Sequence, residues 1–222
     1  ETGTRFRGSF STGFNAPTLV QLFDAFSGNR NLSPEKSDSR EIGIDQAALS
    51  ERLRFGALWF NSDFRDMFGF NPITFQTINI NSASAEGAEV YAQYSRPDFR
   101  ARIDYTYTKS TDNADGAQLI RRPKNKIGGL ASFEPADRIA ASLSVTHVGS
   151  RDDFNFDVPF PQAPKRVRLD PYTLVALGAS YQFSDLWRVF GRVENLFDED
   201  YEEVLFFGTP GRAVYAGFRL SP

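Results

Sequence analysis

The sequence lacks cysteine altogether and contains one histidine and one methionine among its 222 residues. Without cysteine, the chain has no disulfides, thiolate metal sites or cysteine nucleophiles. It also lacks the run of about 18 to 20 apolar residues that a membrane-spanning helix needs. The opening residues, ETGTRFRGSF, show neither the basic segment nor the apolar core of a signal peptide. Because the chain begins inside a predicted strand, we expect a fragment or processed C-terminal part of a longer protein.

An excess of positive charge is absent too. The chain has 25 Lys and Arg against 28 Asp and Glu, which gives a net charge of −3. Phosphate backbones are bound by clustered, unbalanced basic residues, so we exclude nucleic acid as a partner. Aromatic residues are abundant instead, with 22 Phe and 8 Tyr.

Alternation of apolar and polar residues is the main pattern that is present. In FRARIDYTYT, residues 99–108, Phe99 and Ile103 share one face while Arg100 and Arg102 share the other. The segments 138–146 and 213–220 alternate in the same way. Such segments predict about ten strands, at 4–13, 39–48, 52–63, 83–95, 99–109, 123–133, 138–149, 172–183, 187–197 and 212–220.

The predicted connections alternate in length along the chain. Short ones lie at 49–51, 96–98, 134–137 and 184–186, and long ones at 14–38, 64–82, 110–122, 150–171 and 198–211. This alternation is typical of transmembrane β-barrels, which have short periplasmic turns and longer extracellular loops. We therefore predict an all-β, antiparallel transmembrane barrel of about ten meander strands. A soluble β-sandwich or barrel remains the alternative, because it also shows a period of two.

In a membrane barrel, the polar face lines the lumen. Arg100, Arg102 and Arg219 should then be luminal, since one arginine at the lipid midplane would cost roughly 2–4 kcal/mol. An open sheet in lipid would leave two unpaired edges, which hydrocarbon does not tolerate. The ten strands therefore either close on themselves or form part of a larger barrel.

Three sequence motifs resemble those of a known protein family. They are VENLFDEDYEEVLFFGTPGRAVYAGFRL at 193–220, FSTGFNAPTLVQLF followed by GNRNLSPEKSDSREIGI near the start, and ASAEGAEVYAQY in between. In this order they resemble TonB-dependent outer-membrane receptors, and the strand patterns DYTYTKS and YTLVALGASYQF are most similar to the cobalamin-transporter branch. The residues that match the family motifs are Gly13, Phe14, Ala16, Pro17, Asn31, Pro34, Glu35, Gly87, Glu89, Asn195, Leu196, Phe197, Asp198, Tyr201, Pro210, Gly211 and Arg212.

The resemblance implies a 22-stranded barrel whose lumen is filled by an N-terminal plug. This chain would supply the last ten strands, and the plug, the TonB-contact segment and the earlier strands would precede Glu1. It implies a place in the outer membrane, among lipid and lipopolysaccharide. The implied function is to bind cobalamin, or next a ferric siderophore, at extracellular loops and to import it with energy that TonB delivers through the plug. No cofactor is implied. Family chains usually end in an aromatic residue, so the terminal Pro222 puts barrel assembly in doubt.

Aromatic residues in the long connections are the candidate ligand contacts, because rigid rings bind a large flat ligand at low entropic cost. They are Phe154, Phe156, Phe160, Phe206 and Phe207. The alternative is that these rings cover one another above the barrel rim.

Other classes of function have little support. A plugless diffusion channel would share the barrel pattern. A ten-stranded outer-membrane hydrolase would depend on His147 with Asp152 or Asp153, yet no nucleophile elbow is present, and we expect no enzyme.

The acidic residues at 198–203 could hold Ca²⁺, but they lack the ligand spacing of an EF-hand. We expect a solvated loop there and no metal site. The loop arginines Arg30, Arg151, Arg166 and Arg168 are expected to be scattered surface residues, with binding of an anionic ligand or lipopolysaccharide phosphate as the alternative.

Overall fold

Ten antiparallel strands in chain order form one sheet, and two short strands form a separate hairpin. The structure, a computed structural model, describes residues 3–71, 73–159 and 161–220. Phe160 and Pro222 lie outside these residues. The elements are β1 Thr4–Asn15, α1 Leu19–Phe23, β2 Glu35–Ala48, β3 Leu53–Asn71, β4 Gln76–Ser95, β5 Phe99–Asp112, β6 Asn125–Ala136, β7 Ile139–Val148, β8 Arg151–Asn155, β9 Lys165–Leu169, β10 Tyr172–Gln182, β11 Trp187–Glu194 and β12 Ala213–Leu220.

All ten predicted strands are present in the main sheet, and each pairs antiparallel with the next strand of that sheet. The prediction of a long loop at 64–82 was wrong in most of its length. There β3 continues to Asn71 and β4 begins at Gln76, so the two strands form one long hairpin. Asp66, which has a left-handed φ of 57°, interrupts the alternation of Phe64, Phe68 and Phe70, so the continuation of β3 was not recognised.

The hairpin β8–β9 lies within another predicted loop, 150–171. Arg151 pairs with Leu169 at one end and Asn155 with Lys165 at the other. Six of the ten residues of RDDFN and KRVRL are Arg, Lys or Asp, so no apolar face is visible. The five-residue helix α1, which Thr18 caps, was likewise not predicted.

The two faces of the main sheet differ in chemistry. One luminal row runs across five strands from Arg100 through Ser132, Ser142 and Gly178 to Arg192. Arg102 lies on the same face, and its guanidinium is 4.5 Å from the ring of Tyr91. The guanidinium of Arg192 lies over the ring of Tyr215. Arg219 is on the same face of β12 as Tyr215. The predicted luminal position of Arg100, Arg102 and Arg219 is confirmed.

The opposite face is apolar and uncovered. Phe6, Phe10 and Phe218 are 79%, 65% and 69% exposed, whereas the buried apolar residues among those described are Leu32, Ala83, Val148, Leu169 and Tyr172. A soluble sandwich would bury such a face between two sheets. A single curved sheet that presents it outward fits a barrel wall in lipid.

The sheet has two open edges. Among the described residues, β1 pairs only with β2, and β12 pairs only with β11. Within the same residues, no helix has both the length and the apolar character of a membrane span.

Candidate ligand-binding loops

Long connections meet at one end of the sheet, because antiparallel strands return every second connection to the same side. In outer-membrane barrels this is the extracellular end. Residues 149–171 contact both of the neighbouring connections, 113–124 and 195–212, and we call the three connections the loop cluster. Two buried charged side chains join them.

Asp153 is the first of these and is completely buried. Its Oδ1 accepts hydrogen bonds from Arg121 Nε at 3.0 Å and from the backbone N–H of Phe154 at 2.8 Å. Its Oδ2 accepts from the N–H of Leu205 at 2.9 Å. Burial opposes ionisation of Asp153, but these N–H donors and Arg121 outweigh it and hold the pKa of the carboxyl below its ordinary value. One carboxylate thus connects all three loops.

Arg151 is the second, at 5% exposure. Its guanidinium donates to the carbonyl oxygens of Glu202, Glu203 and Asp170, and it lies 5.1 Å from the ring of Tyr172. The expectation that Arg151 is a surface arginine was wrong, because carbonyl oxygens of the neighbouring loops surround it. The charged residues of the cluster gave no sequence signal that they would be buried.

The closing segment of the loop cluster contains the motif residues from Asn195 to Arg212. Asn195 and Asp198 have φ of 48° and 57°, a left-handed conformation that Asn and Asp tolerate better than most residues. Asn195 Nδ2 donates to Glu199 O at 2.9 Å, and its Oδ1 accepts from Glu199 N at 2.8 Å. The N–H of Arg212 donates to Asp198 Oδ1 at 2.7 Å. These bonds hold both ends of the last loop together.

The neighbouring motif residues support the same closure. Leu196 N–H donates to Val175 O at 2.8 Å, and the ring of Tyr201 lies 4.4 Å from that of Tyr172. A Cβ on Gly211 would come within 3.0 Å of Asp198 Oδ1. Pro210 O accepts from Asn195 Nδ2 at 3.4 Å. Phe197, in contrast, is 73% exposed.

The first long connection, residues 16–34, is held to the β3–β4 hairpin. Glu35 accepts from the backbone N–H of Phe68 at 2.6 Å and from Asn15 Nδ2 at 2.7 Å. Asn29 Oδ1 accepts from the N–H of Asn31 at 2.9 Å. The motif residue Glu35 therefore joins three strands. Ala16 is exposed, while Pro17 and Pro34 are half-buried at the two ends of this connection.

Four further motif residues lie along the strands. Gly13 faces Ser37, whose Oγ would be 2.4 Å from an added Cβ, and Gly87 faces the carbonyl oxygen of Tyr107, which would be 2.1 Å away. Glu89 pairs in register with Leu58 and Thr106 and lines a polar luminal depression. Phe14 is 69% exposed on the outward face.

The candidate ligand aromatics lie on the loop cluster. Phe156, Phe206 and Phe207 are 58%, 65% and 69% exposed. Phe154 contacts Phe156 edge to face, with ring centroids 6.2 Å apart. Phe206 adopts φ of 66° and its N–H donates to Glu202 Oε1 at 3.1 Å. Among the described residues, no ring pair joins Phe206 or Phe207 to the other two, so the one ring pair within this set is Phe154 with Phe156.

The residues considered for hydrolysis are not assembled into a catalytic group. His147 Nδ1 lies 2.9 Å from Thr173 Oγ1, and Asp152 accepts from Arg166 Nε at 2.9 Å. No hydrogen bond or ion pair in the described part joins His147 to Asp152 or Asp153.

The other charged candidates have partners as well. Arg30 lies over the ring of Phe23 at 5.2 Å, and Arg168 donates to Ser150 Oγ. Within the described ranges, no group of three or more His, Asp or Glu is placed to hold a metal ion.

The family model described as "TonB dependent receptor-like, beta-barrel" matches residues 2–196. The chain belongs to this family. Its localisation is the outer membrane of a Gram-negative cell. The vitamin B12 transporter BtuB of Vibrio vulnificus is 30% identical over 201 residues, covering 89% of this chain and 31% of that protein. The one of Photobacterium profundum is 29% identical over 212 residues, covering 92% and 33%. The chain thus spans about a third of the length of these transporters.

Solved receptor barrels have the same fold. The siderophore receptor PirA from Acinetobacter baumannii superposes with a TM-score of 0.80 at 20% identity, over 98% of this chain and 39% of that one. The ferripyoverdine receptor of Pseudomonas aeruginosa gives 0.78 at 20% identity, over 98% and 31%. At this identity the likeness concerns the fold alone. The sequence relatives of the chain are transporters, which supports a non-enzymatic role.

Proposed function

We propose that this chain forms part of the wall and extracellular loops of an active-transport receptor that binds a scarce small molecule and imports it to the periplasm. The loop cluster carries this proposal, because it holds exposed aromatic rings on a scaffold that two buried charges make rigid. Rings held in this way bind a large ligand without the entropic cost of ordering a mobile loop.

We favour cobalamin as the ligand, with a ferric siderophore next. The vitamin B12 transporters among the relatives support the first, and the siderophore receptors among the structural neighbours support the second. Phe154, Phe156, Phe206 and Phe207 are the proposed contacts. Three of the four are more than half exposed, and they share the extracellular end of the sheet.

The remainder of the receptor is also part of the proposal. The chain would be the C-terminal part of a 22-stranded barrel, whose earlier strands would pair with the open edges of β1 and β12, and whose N-terminal plug would contact TonB. TonB would supply the energy for import. The outward apolar face would contact membrane lipid, and the outer rim would lie among lipopolysaccharide.

Binding of cyanocobalamin and of a ferric siderophore by the intact purified receptor tests the proposal. The double substitution of Phe206 and Phe207 by Ser should raise the Kd of the true ligand about tenfold or more, since a buried anchor ring contributes more than about 1.4 kcal/mol. Leu186→Ser is the control, because Leu186 is half exposed in a turn at the opposite end. Unchanged affinity in the double variant would contradict the proposed site, and binding of neither probe would contradict the proposed ligands.

A plugless diffusion channel is the second candidate, since it would share the same wall. The coding region upstream of Glu1 distinguishes the two. A plug-encoding segment and about twelve further alternating strands would support the receptor, whereas a signal peptide directly before Glu1 would support a self-closed channel.

A further inference from the structure

A groove of about 490 Å³ runs along the luminal face over β6, β7 and β10. The floor residues that face the lumen are mostly small. Ser132 and Ser142 lie in one row, and Leu130, Ser144 and Ala176 lie in the next. Gly178 completes the floor, and a Cβ there would come within 2.7 Å of Ser142 Oγ. The small side chains of this floor leave the space that the groove occupies.

Arginines form both sides of the groove. Arg100 and Arg102 project from β5, and Arg192 projects from β11. In register, Arg100 and Arg192 are separated by Ser132, Ser142 and Gly178. At about 4.8 Å per strand, the two arginine Cα atoms lie roughly 19 Å apart along the sheet, which is enough for a large flat molecule between them.

The charges in the groove are not balanced. Arg102 pairs with Asp104 at 3.6 Å, and Arg192 pairs with Glu194 at 3.2 Å. The side chain of Arg100 makes no hydrogen bond, ion pair or ring contact with any residue that the structure describes. A chain whose net charge is −3 thus places a cation with no partner among the described residues beside this luminal groove.

We infer that this groove is a luminal anion-binding site, along which a small-molecule cargo that bears anionic oxygens passes after it leaves the loop cluster. The inference extends the proposed import function and rests on it. Arg100 provides the charge, and the small residues of the floor provide the space. A cargo with carboxylate, phenolate or phosphate oxygens matches an arginine that has all of its donors free.

Ser142→Cys in the intact receptor gives a direct probe of the groove, because this chain contains no other thiol. Its reaction rates with an anionic sulfonatoethyl and a cationic trimethylammonioethyl methanethiosulfonate would be compared at low ionic strength, with the parent receptor as background. Ser142 lies two strands, or about 10 Å, from Arg100. One unit charge at that distance in water changes the local concentration of each reagent about twofold in opposite directions, so we expect the anion-to-cation rate ratio to be raised about fourfold.

Three variants locate the source of this preference. Arg100→Gln should remove the fourfold increase at Ser142→Cys, whereas Arg100→Lys should retain it. A thiol placed by Ser39→Cys on the luminal face of the distant strand β2 should not respond to Arg100→Gln. The inference is overturned by an equal ratio with and without Arg100. It is also overturned if neither reagent reaches the groove, which would mean that another segment of the receptor fills it.

An uptake assay connects the site to transport. Ser142→Phe fills the groove, and Val145→Phe places the same ring on the outward face of the same strand. We expect Ser142→Phe to reduce uptake at least tenfold while binding of cyanocobalamin or ferric siderophore at the cell surface is unchanged, and Val145→Phe to leave both unchanged. Normal uptake by Ser142→Phe would refute passage through the groove. Failure of the parent receptor to bind or import either probe would instead refute the proposed function, and the thiol ratio would remain as a separate result.

Discussion

Replacing Asp153 by Asn should open the loop cluster while leaving the barrel folded. The two side chains have nearly the same shape, but Asp153 accepts hydrogen bonds at both oxygens, from Arg121 and Phe154 at Oδ1 and from Leu205 at Oδ2. Asn has one accepting oxygen and one NH₂ group. In either orientation its NH₂ would therefore oppose at least one N–H donor, and the charge that Arg121 faces would be lost.

The expected cost follows from this geometry. Breaking a buried pair costs about 3–5 kcal/mol, and the lower end applies because the side chain of Arg121 is 43% exposed. A loss of about 3 kcal/mol corresponds to an increase of roughly 150-fold in the opening equilibrium of the loops. Hydrogen exchange of the Leu205 amide in the intact receptor measures this opening, and exchange in β10 and β11 reports on the barrel.

Asp152→Asn is the matched control. Asp152 is the adjacent residue and also pairs with an arginine, but Asp152 and Arg166 are 31% and 34% exposed. A partly exposed pair contributes about 0–1 kcal/mol, so exchange at Leu205 should change less than about fivefold. Equal effects of the two substitutions, or no effect of Asp153→Asn, would refute the view that the buried carboxylate joins the loops.

Three further predictions follow from the described contacts. The pKa of Asp153 is lowered in the folded protein from the ordinary value of 3.8. The stability that the ionised carboxylate gives to the closed loops is therefore fully present above pH 3.8 and is lost as the pH falls through the lower folded pKa. Hydrogen exchange at Leu205, corrected for intrinsic rates, should accordingly be constant from about pH 5 to 8. Gly87→Ala should prevent barrel assembly, since the new Cβ would be 2.1 Å from a backbone oxygen, whereas a Cβ at Gly208 meets no atom within 4 Å and Gly208→Ala should assemble. Heat-modifiable migration of the folded barrel on gels distinguishes the two variants. Normal assembly of Gly87→Ala would contradict the steric argument. Asn195→Ala should destabilise the closed conformation of the last loop by about 1–3 kcal/mol, because it removes a buried amide that hydrogen-bonds within the loop. Faster proteolysis within 199–210 would confirm this. Unchanged cleavage would show that the loop closes without the amide.

The sequence predicts the membrane-spanning strands well because the membrane imposes a simple rule on them. Each strand must show one apolar face to lipid, so the alternation in 99–108 is directly readable. Beyond the membrane that rule ends. The extensions of β3 and β4 and the hairpin β8–β9 are held by backbone pairing, and their sequences lack an unbroken apolar–polar alternation.

The loop cluster was only partly predictable for a related reason. Asp198 and Arg212 could be assigned to a family motif, but their contact across the last loop is a property of the fold. The burial of Arg151 and Asp153 depends on partners about 50 residues away, at Glu202 and Leu205. A charged residue next to other charged residues gives no local sign that a distant loop will cover it.

The length of the β3–β4 hairpin determines how far this part of the barrel wall extends beyond the membrane. The two strands contain 19 and 20 residues, or about 65 Å of chain at 3.3 Å per residue. A tilt of about 40° reduces this to roughly 50 Å of height, twice the apolar band of about 25 Å. The tip, with Phe70 and Phe75 in edge-to-face contact, therefore projects some 20 Å or more beyond the lipid. An epitope tag inserted at this tip would be displayed to antibodies on living cells, which makes the hairpin a practical handle for counting and tracking the receptor.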